Sequence, residues 1–146
     1  FRRVLFRSFN SLLFEILFQL YHNFSIRVVH GNQTQRDKDR ARLDTILNYI
    51  RQNYKQHISI EEIANVAYLQ SGYFCRFFKK CMGITFLEYQ NELRLSYIYQ
   101  DILSTDDSIK DILERHGFTN YKLFRRMFFE HFEMTPTEVR KNRNAT

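Results

Sequence analysis

The chain of 146 residues is 44% hydrophobic and holds only 4 Gly and 1 Pro. That is enough for one ordinary domain with a packed core, and its long periodic stretches make the expected class all-α rather than sheet. The net charge is +6, but residues 59–146 carry 12 Lys/Arg against 12 Asp/Glu, so the surplus lies in residues 1–58, with 10 bases against 4 acids; overall basicity alone does not argue for a nucleic-acid partner.

Several other classes fall away. Cys75 and Cys81 are six apart, about 600° around a helix, so they face different ways and cannot bridge within it. Two thiols without a signal peptide fit a reducing cytoplasm. The five histidines (His22, His30, His57, His116, His131) make no zinc spacing with the cysteines, and no cofactor is expected. The run "LLFEILFQL" is broken by Glu15 and Gln19 and is too short to span a bilayer, so no membrane partner is expected. A chain that starts with Phe reads as a fragment. Its opening "FRRVLFRS" is either native or a sequence scar, and residues 1–8 are left out of the fold reading.

In chain order, residues 8–24 place Phe9, Leu12, Leu13, Ile16, Leu20 and Phe24 at helical spacing, as a core helix of something larger or a dimerisation helix. "SIRVVH", residues 25–30, is the one candidate strand. Residues 31–40, "GNQTQRDKDR", hold no apolar residue and read as a linker. A compact domain is expected over residues 41–143. It opens with a helix carrying Leu43, Ile46, Leu47 and Ile50 on one stripe. Ser59 with Glu62 three residues on forms a capping box for the next helix. A helix over 71–82 follows, then Thr85 with Glu88 opens a long one over about 86–103. Ser108 caps "IKDILERH", "GF" makes a turn, and 120–132 is helical. Thr135, Pro136 and Glu138 open a last short helix, with Pro at its first position.

The chain repeats itself. "YFCRFFKKCMGITFLEY", residues 73–89, and "LFRRMFFEHFEMTPTEV", residues 123–139, share Phe74/Phe124, Arg76/Arg126, Phe78/Phe128, Thr85/Thr135 and Glu88/Glu138 at an offset of 50. Ser59/Ser108, Ile60/Ile109 and Ile63/Ile112 align at 49, so one extra residue enters the second copy near its turn. Each unit is a short helix, a tight turn and a longer helix, which is the helix-turn-helix plan. The spacing predicts buried stripes of Phe74, Phe77, Phe78 and Cys81 in one unit, and of Phe124, Met127, Phe128 and His131 in the other. Arg76, Lys79 and Lys80 lie in residues 71–82, and Lys122, Arg125 and Arg126 in residues 119–129, with no acid in either stretch. A span that is neutral overall has collected its bases on two equivalent helices, as groove docking requires. Eighteen helical residues between them span about 27 Å, comparable to the ~34 Å between successive major grooves once the width of each unit is added.

These residues resemble the C-terminal DNA-binding domain of AraC/XylS-family bacterial transcription regulators. "GFTNYKLFRRMFFEHFEMTPTEVR", residues 117–140, is similar to the family signature, and "SIEEIA", "YFCRFFKKCMG" and "FLEYQNELRL" match in the first unit. The resemblance covers about 100 residues and implies two helix-turn-helix subdomains joined by a long linker helix, about seven helices in all. It implies double-stranded promoter or operator DNA and RNA polymerase as partners. It also implies an N-terminal sensor and dimerisation domain, of which residues 1–30 would be the last piece, with homodimerisation through it.

By the same resemblance, Gly72, Cys75 and Arg76 meet bases from the first recognition helix, and Tyr121, Lys122, Arg125 and Arg126 sit around the second helix's contacts. Lys79 and Lys80 serve phosphates. The chain departs from the family at Leu113, where Ala is usual, at Phe129, where a base is usual, and at Glu133, where Gly is usual. The last position suits a left-handed backbone.

The blander readings favour core packing for the Phe stripes, a passive role for Cys75 and structural roles for His116 and His131. No nucleophile-base-acid set, phosphate loop or metal cluster supports an enzyme. The alternative to a sequence-specific regulator is a helical protein-interaction module that has lost specific DNA binding, as Gly72, Phe129 and Glu133 would allow.

Overall fold

The computed structural model describes residues 33–143, and among them all regular structure is helical. Seven helices follow in order: α1 (Gln33–Asn53), α2 (Ile60–Val66), α3 (Ser71–Met82), α4 (Phe86–Ser104), α5 (Ile109–Arg115), α6 (Tyr121–Phe132) and α7 (Pro136–Arg143). The expected helix over 8–24, the strand over 25–30 and the reading of residues 1–8 lie outside the described residues.

The starts of the helices follow from local chemistry. Ser59 accepts from the Glu62 amide at 3.0 Å, and the Glu62 carboxylate accepts from the Ser59 amide. Thr85 with Glu88 repeats the box at α4, and Thr135 with Glu138 repeats it at α7. Accepting from the Thr85 amide and hydroxyl holds the Glu88 carboxyl below its ordinary range; Glu138 is held down by Thr135 in the same way.

Residues 33–40 correct the linker expectation: they are helical and open α1. A stretch without apolar residues is one that nothing buries, which does not prevent it from being a helix. Gln35 donates to Asp39 at 2.9 Å, and Asp39 pairs with Arg42 at 3.3 Å, so neighbouring turns support each other along the exposed start of α1.

The two units have separate cores. Leu43, Ile46, Ile50, Ile63, Phe74 and Phe78 anchor the first; Leu95, Ile98, Ile112, Phe124, Phe128 and Phe132 anchor the second. α4 belongs to both, with Phe86 in the first core and Leu95, Ile98 and Ile102 in the second. The end of each leading helix is held by side chains of a trailing one. Arg94 donates to the Tyr54 carbonyl at 2.6 Å and the Gln56 carbonyl at 2.7 Å, and Gln90 adds a donor to Gln56 at 3.1 Å. Forty-nine residues on, Arg143 donates to the Thr105 carbonyl at 2.7 Å and pairs with Asp106. The repeat therefore includes the leading helix, and α4 leads the second unit as α1 leads the first.

Three members of the expected stripes are not fully buried. Cys81 is exposed. The chain turns at Gly83 and returns Phe86 edge-on to Phe74 and Phe78, which closes that end of the core without the thiol. In α6 the buried series is Phe124, Phe128 and Phe132, while Met127 and His131 are half-buried. Tyr99 on α4 stacks on Phe132 at 4.3 Å and so draws the stripe to that side.

Gly83 ends α3 at φ 76°, and Glu133 ends α6 at φ 54°. The left-handed backbone costs an L-residue about 1–2 kcal/mol, and glycine's extra freedom when unfolded returns about 0.4–1. Glu133→Gly is therefore expected to stabilise the protein by roughly 0.5–1 kcal/mol in a denaturant titration. An unchanged or lower midpoint would show that the Glu133 side chain offsets its strain.

Candidate nucleic-acid interface

The two helix-turn-helix units are α2–α3 and α5–α6. The first turn bends through Tyr68 at φ 54° and the second through Gly117 at φ 69°. α6 is capped by Asn120, whose side chain accepts from the Leu123 amide at 2.9 Å. α3 starts at Gln70 with no side-chain cap.

Each second helix separates its faces. α3 buries Phe74, Phe77 and Phe78 and leaves Gly72, Cys75, Arg76, Lys79 and Lys80 exposed. α6 buries Phe124, Phe128 and Phe132 and leaves Lys122, Arg125 and Arg126 exposed beside Tyr121 and Phe129, which are 54% and 55% exposed. All nine sequence-predicted site residues thus stand on outward faces, five on α3 and four on α6.

None of Arg76, Lys79, Lys80, Lys122, Arg125 and Arg126 is within 4.0 Å of a carboxylate among the described residues. Other arginines are committed internally: Arg115 pairs with Asp101 at 2.8 Å and with Asp107, and Arg94 and Arg143 hold carbonyls. The neutral span has sorted its cations into those that tie helices together and those left facing solvent. Six of the latter lie on the two repeated helices, while Lys110, paired with Glu114 at 3.9 Å, and Lys141 face solvent elsewhere.

A shallow cleft of about 400 Å³ runs along α6, lined by Tyr121, Lys122, Arg125, Arg126, Phe129, Thr135 and Pro136. Phe129 stands where the equivalent position of α3, offset by 50, carries Lys79. At the side of Gly72, nothing lies within 4 Å of where a Cβ would stand, so that glycine leaves the start of α3 open rather than filling a tight space.

Sequence spacing did not reveal the contact between the units. The Tyr54 hydroxyl meets His116 Nδ1 at 2.9 Å, across 62 residues. His116 Nε2 meets Asp101 at 2.9 Å. Burial alone would raise the Asp101 carboxyl, but hydrogen bonds from His116 and Arg115 outweigh it and hold the group below its ordinary range. An ionised carboxylate only accepts, so Nε2–H donates to it, and the Tyr54 hydroxyl, which can donate or accept, completes the ring's bonding at Nδ1. The Tyr54 phenol is pushed up to about 12 by burial, then by Tyr97 and Asp101, and so remains protonated. His116 thus packs and bonds within the protein, in line with the structural role expected of it. The signal available in sequence was a lone histidine beside a turn glycine, which does not name a partner.

Among the described residues no helix is long and apolar enough to cross a membrane, and no three His, Cys, Asp or Glu side chains gather as a metal site. A helix-turn-helix domain model matches residues 63–142. The lactose operon transcription activator of Staphylococcus xylosus is 26% identical over 133 residues, covering 91% of this chain and 48% of that protein. The chain therefore spans about half the length of that relative, and 18% of uncharacterised helix-turn-helix regulators of Staphylococcus aureus that are 25% identical to it.

Among solved structures, an AraC-type transcriptional regulator from Chromobacterium violaceum superposes with a TM-score of 0.65 at 28% identity, covering 71% of this chain and 93% of that one. The DNA-binding domain of AdpA, solved with a target DNA, has the same fold at 20% identity and a TM-score of 0.65, covering 70% of this chain and 93% of that one. Separate cores, duplicated helix-turn-helix units, a shared long helix and these likenesses agree: the chain belongs to the AraC-type helix-turn-helix family of DNA-binding transcription regulators.

Proposed function

We propose that residues 41–143 bind double-stranded DNA sequence-specifically, with α3 and α6 entering successive major grooves, and thereby regulate transcription in the bacterial cytoplasm. The supporting observation is the pair of equivalent helices that each expose three unpaired cations while burying three phenylalanines. Arg76 and Arg126 occupy the same place in the two units and would read guanine through bidentate hydrogen bonds. Lys79 and Lys80 would hold phosphates, Lys122 and Arg125 would work beside Arg126, and Tyr121 would offer its ring and hydroxyl at the start of α6. Gly72 and Cys75 would border the bases with little side chain to specify them. RNA polymerase at a promoter is the natural second partner, and a homodimer would form through residues outside 33–143.

Selection from random genomic fragments, followed by sequencing, tests this. The expected result is an enriched bipartite motif. No enriched motif would favour the protein-interaction reading, which draws its support from the exposed Phe129 ring. On the selected site, Arg76→Ala and Arg126→Ala are each expected to weaken binding roughly 5- to 150-fold, equivalent to about 1–3 kcal/mol for a lost base contact. Helical circular dichroism should not change. If both variants bind as wild type does, the groove assignment is wrong.

A further inference from the structure

We propose that Tyr54 and His116 are positioning residues that lock the two helix-turn-helix units together, so that this chain reads the spacing between its half-sites as well as their bases. The inference rests on the two-groove reading above. It starts from a mechanical question: what keeps α3 and α6 in a fixed relation?

α4 alone is a weak answer. Its 19 residues span about 28 Å. Helices curve with radii of about 60–100 Å, and such a curve over about 28 Å carries the far end about 4–7 Å off the straight axis, more than one ~3.4 Å base-pair step. The two cores share no buried side chain, so they do not stiffen each other.

The contact between the end of α1 and the end of α5 supplies the missing constraint. Tyr54, from the first unit, and His116, from the second, are both buried and bonded to each other. Tyr97 of α4 stacks on both, with ring centroids 4.7 Å from Tyr54 and 6.0 Å from His116, and Tyr54 and His116 themselves lie 5.9 Å apart. His116 is also tied to Asp101 of α4, and the Tyr54 carbonyl to Arg94 of α4. Bending α4 between residues 94 and 101 would open this triangle and strand a buried hydroxyl and a buried ring nitrogen, which is costly. A spacer with one flexible element would tolerate several half-site spacings; a triangulated one selects a single spacing.

Tyr54→Phe removes one oxygen and keeps the ring stack, so it is the first variant; His116→Phe and the double variant complete a cycle. Without DNA, spin labels at Lys79→Cys and Phe129→Cys, in a Cys75→Ser/Cys81→Ser background, should give one narrow distance distribution. Tyr54→Phe should broaden it. With DNA, affinities are measured on the selected site and on sites with one base pair added or removed between the half-sites. The preference for the selected spacing should fall about fivefold in Tyr54→Phe, as expected for one lost buried hydrogen bond. It should fall no further in the double variant than in His116→Phe.

An unbroadened distribution in folded Tyr54→Phe overturns the proposal, as does equal weakening at every spacing. A broadened distribution in a protein that enriches no DNA motif leaves the lock standing and removes the two-groove reading instead.

Discussion

Gly117→Ala is expected to lower the unfolding free energy by about 2–5 kcal/mol, combining about 1–2 for a left-handed L-residue with about 1–3 for overpacking. Gly117 stands at φ 69°, and a Cβ added there would lie 1.7 Å from the Lys55 carbonyl oxygen. That obstacle is backbone, held in turn by its neighbours at Tyr54 and Gln56, and it cannot rotate away. The chain must shift, and the second unit with it. Tyr68, the equivalent residue of the first turn at an offset of 49, has the same backbone conformation and is 94% exposed, with no chain end against it. The first turn tolerates a bulky side chain and the second excludes even a methyl group. Chemical denaturation of Gly117→Ala beside Tyr68→Ala measures the contrast, and a loss below about 1 kcal/mol at Gly117 would show that the close approach relaxes cheaply.

Phe128→Ala is expected to cost about 3–5 kcal/mol, the usual range for emptying a fully buried aromatic site. Phe128 is 0% exposed and contacts the rings of Phe124, Phe132 and Tyr99, with centroids 5.3, 4.6 and 6.3 Å away. Those rings come from two helices fixed elsewhere, so the site has little freedom to collapse. The next residue makes the opposite prediction. Phe129 lies on the outer face with Lys122 and Arg126, and Phe129→Lys should leave stability within about 0.5 kcal/mol. It should steepen the dependence of log affinity on log salt by about 0.9, the signature of one added phosphate contact. Denaturation midpoints and a salt series on the selected DNA check both. Equal stability losses at 128 and 129 would mean that the faces of α6 are misassigned.

Local chemistry was the readable part of this fold. Capping boxes at Ser59, Thr85 and Thr135 depend on residues three apart, and each forms as its spacing implies. The Phe74/Phe78 and Phe124/Phe128 pairs depend on residues four apart and are fully buried. The exposed faces of the two second helices follow from the same periodicity, and the nine candidate residues are exposed on them; their contact roles rest on the resemblance. The errors came where a neighbour decides. Cys81 has the angle of a core residue, yet Phe86 reaches the core from the following helix. Phe132 displaces His131 because Tyr99 lies on its side. The start of α1 carries no apolar periodicity, so nothing in its sequence distinguishes an exposed helix from a linker. Tyr54 and His116, 62 residues apart, meet only after both units have folded, and no periodicity encodes that meeting.

The sharing of α4 by both units has a consequence for how such a chain can diverge. One residue inserted into α4 would rotate everything beyond it by about 100° and advance it by about 1.5 Å. In the proposed two-groove reading, the second helix-turn-helix would then face away from the duplex that the first engages, and Tyr54 would no longer find His116. On that reading, substitutions on α3 and α6 would change the bases preferred one at a time. The length of α4 admits no such gradual change, so under the proposed reading descendants of this chain would drift in vocabulary while the interval between their two words stays fixed.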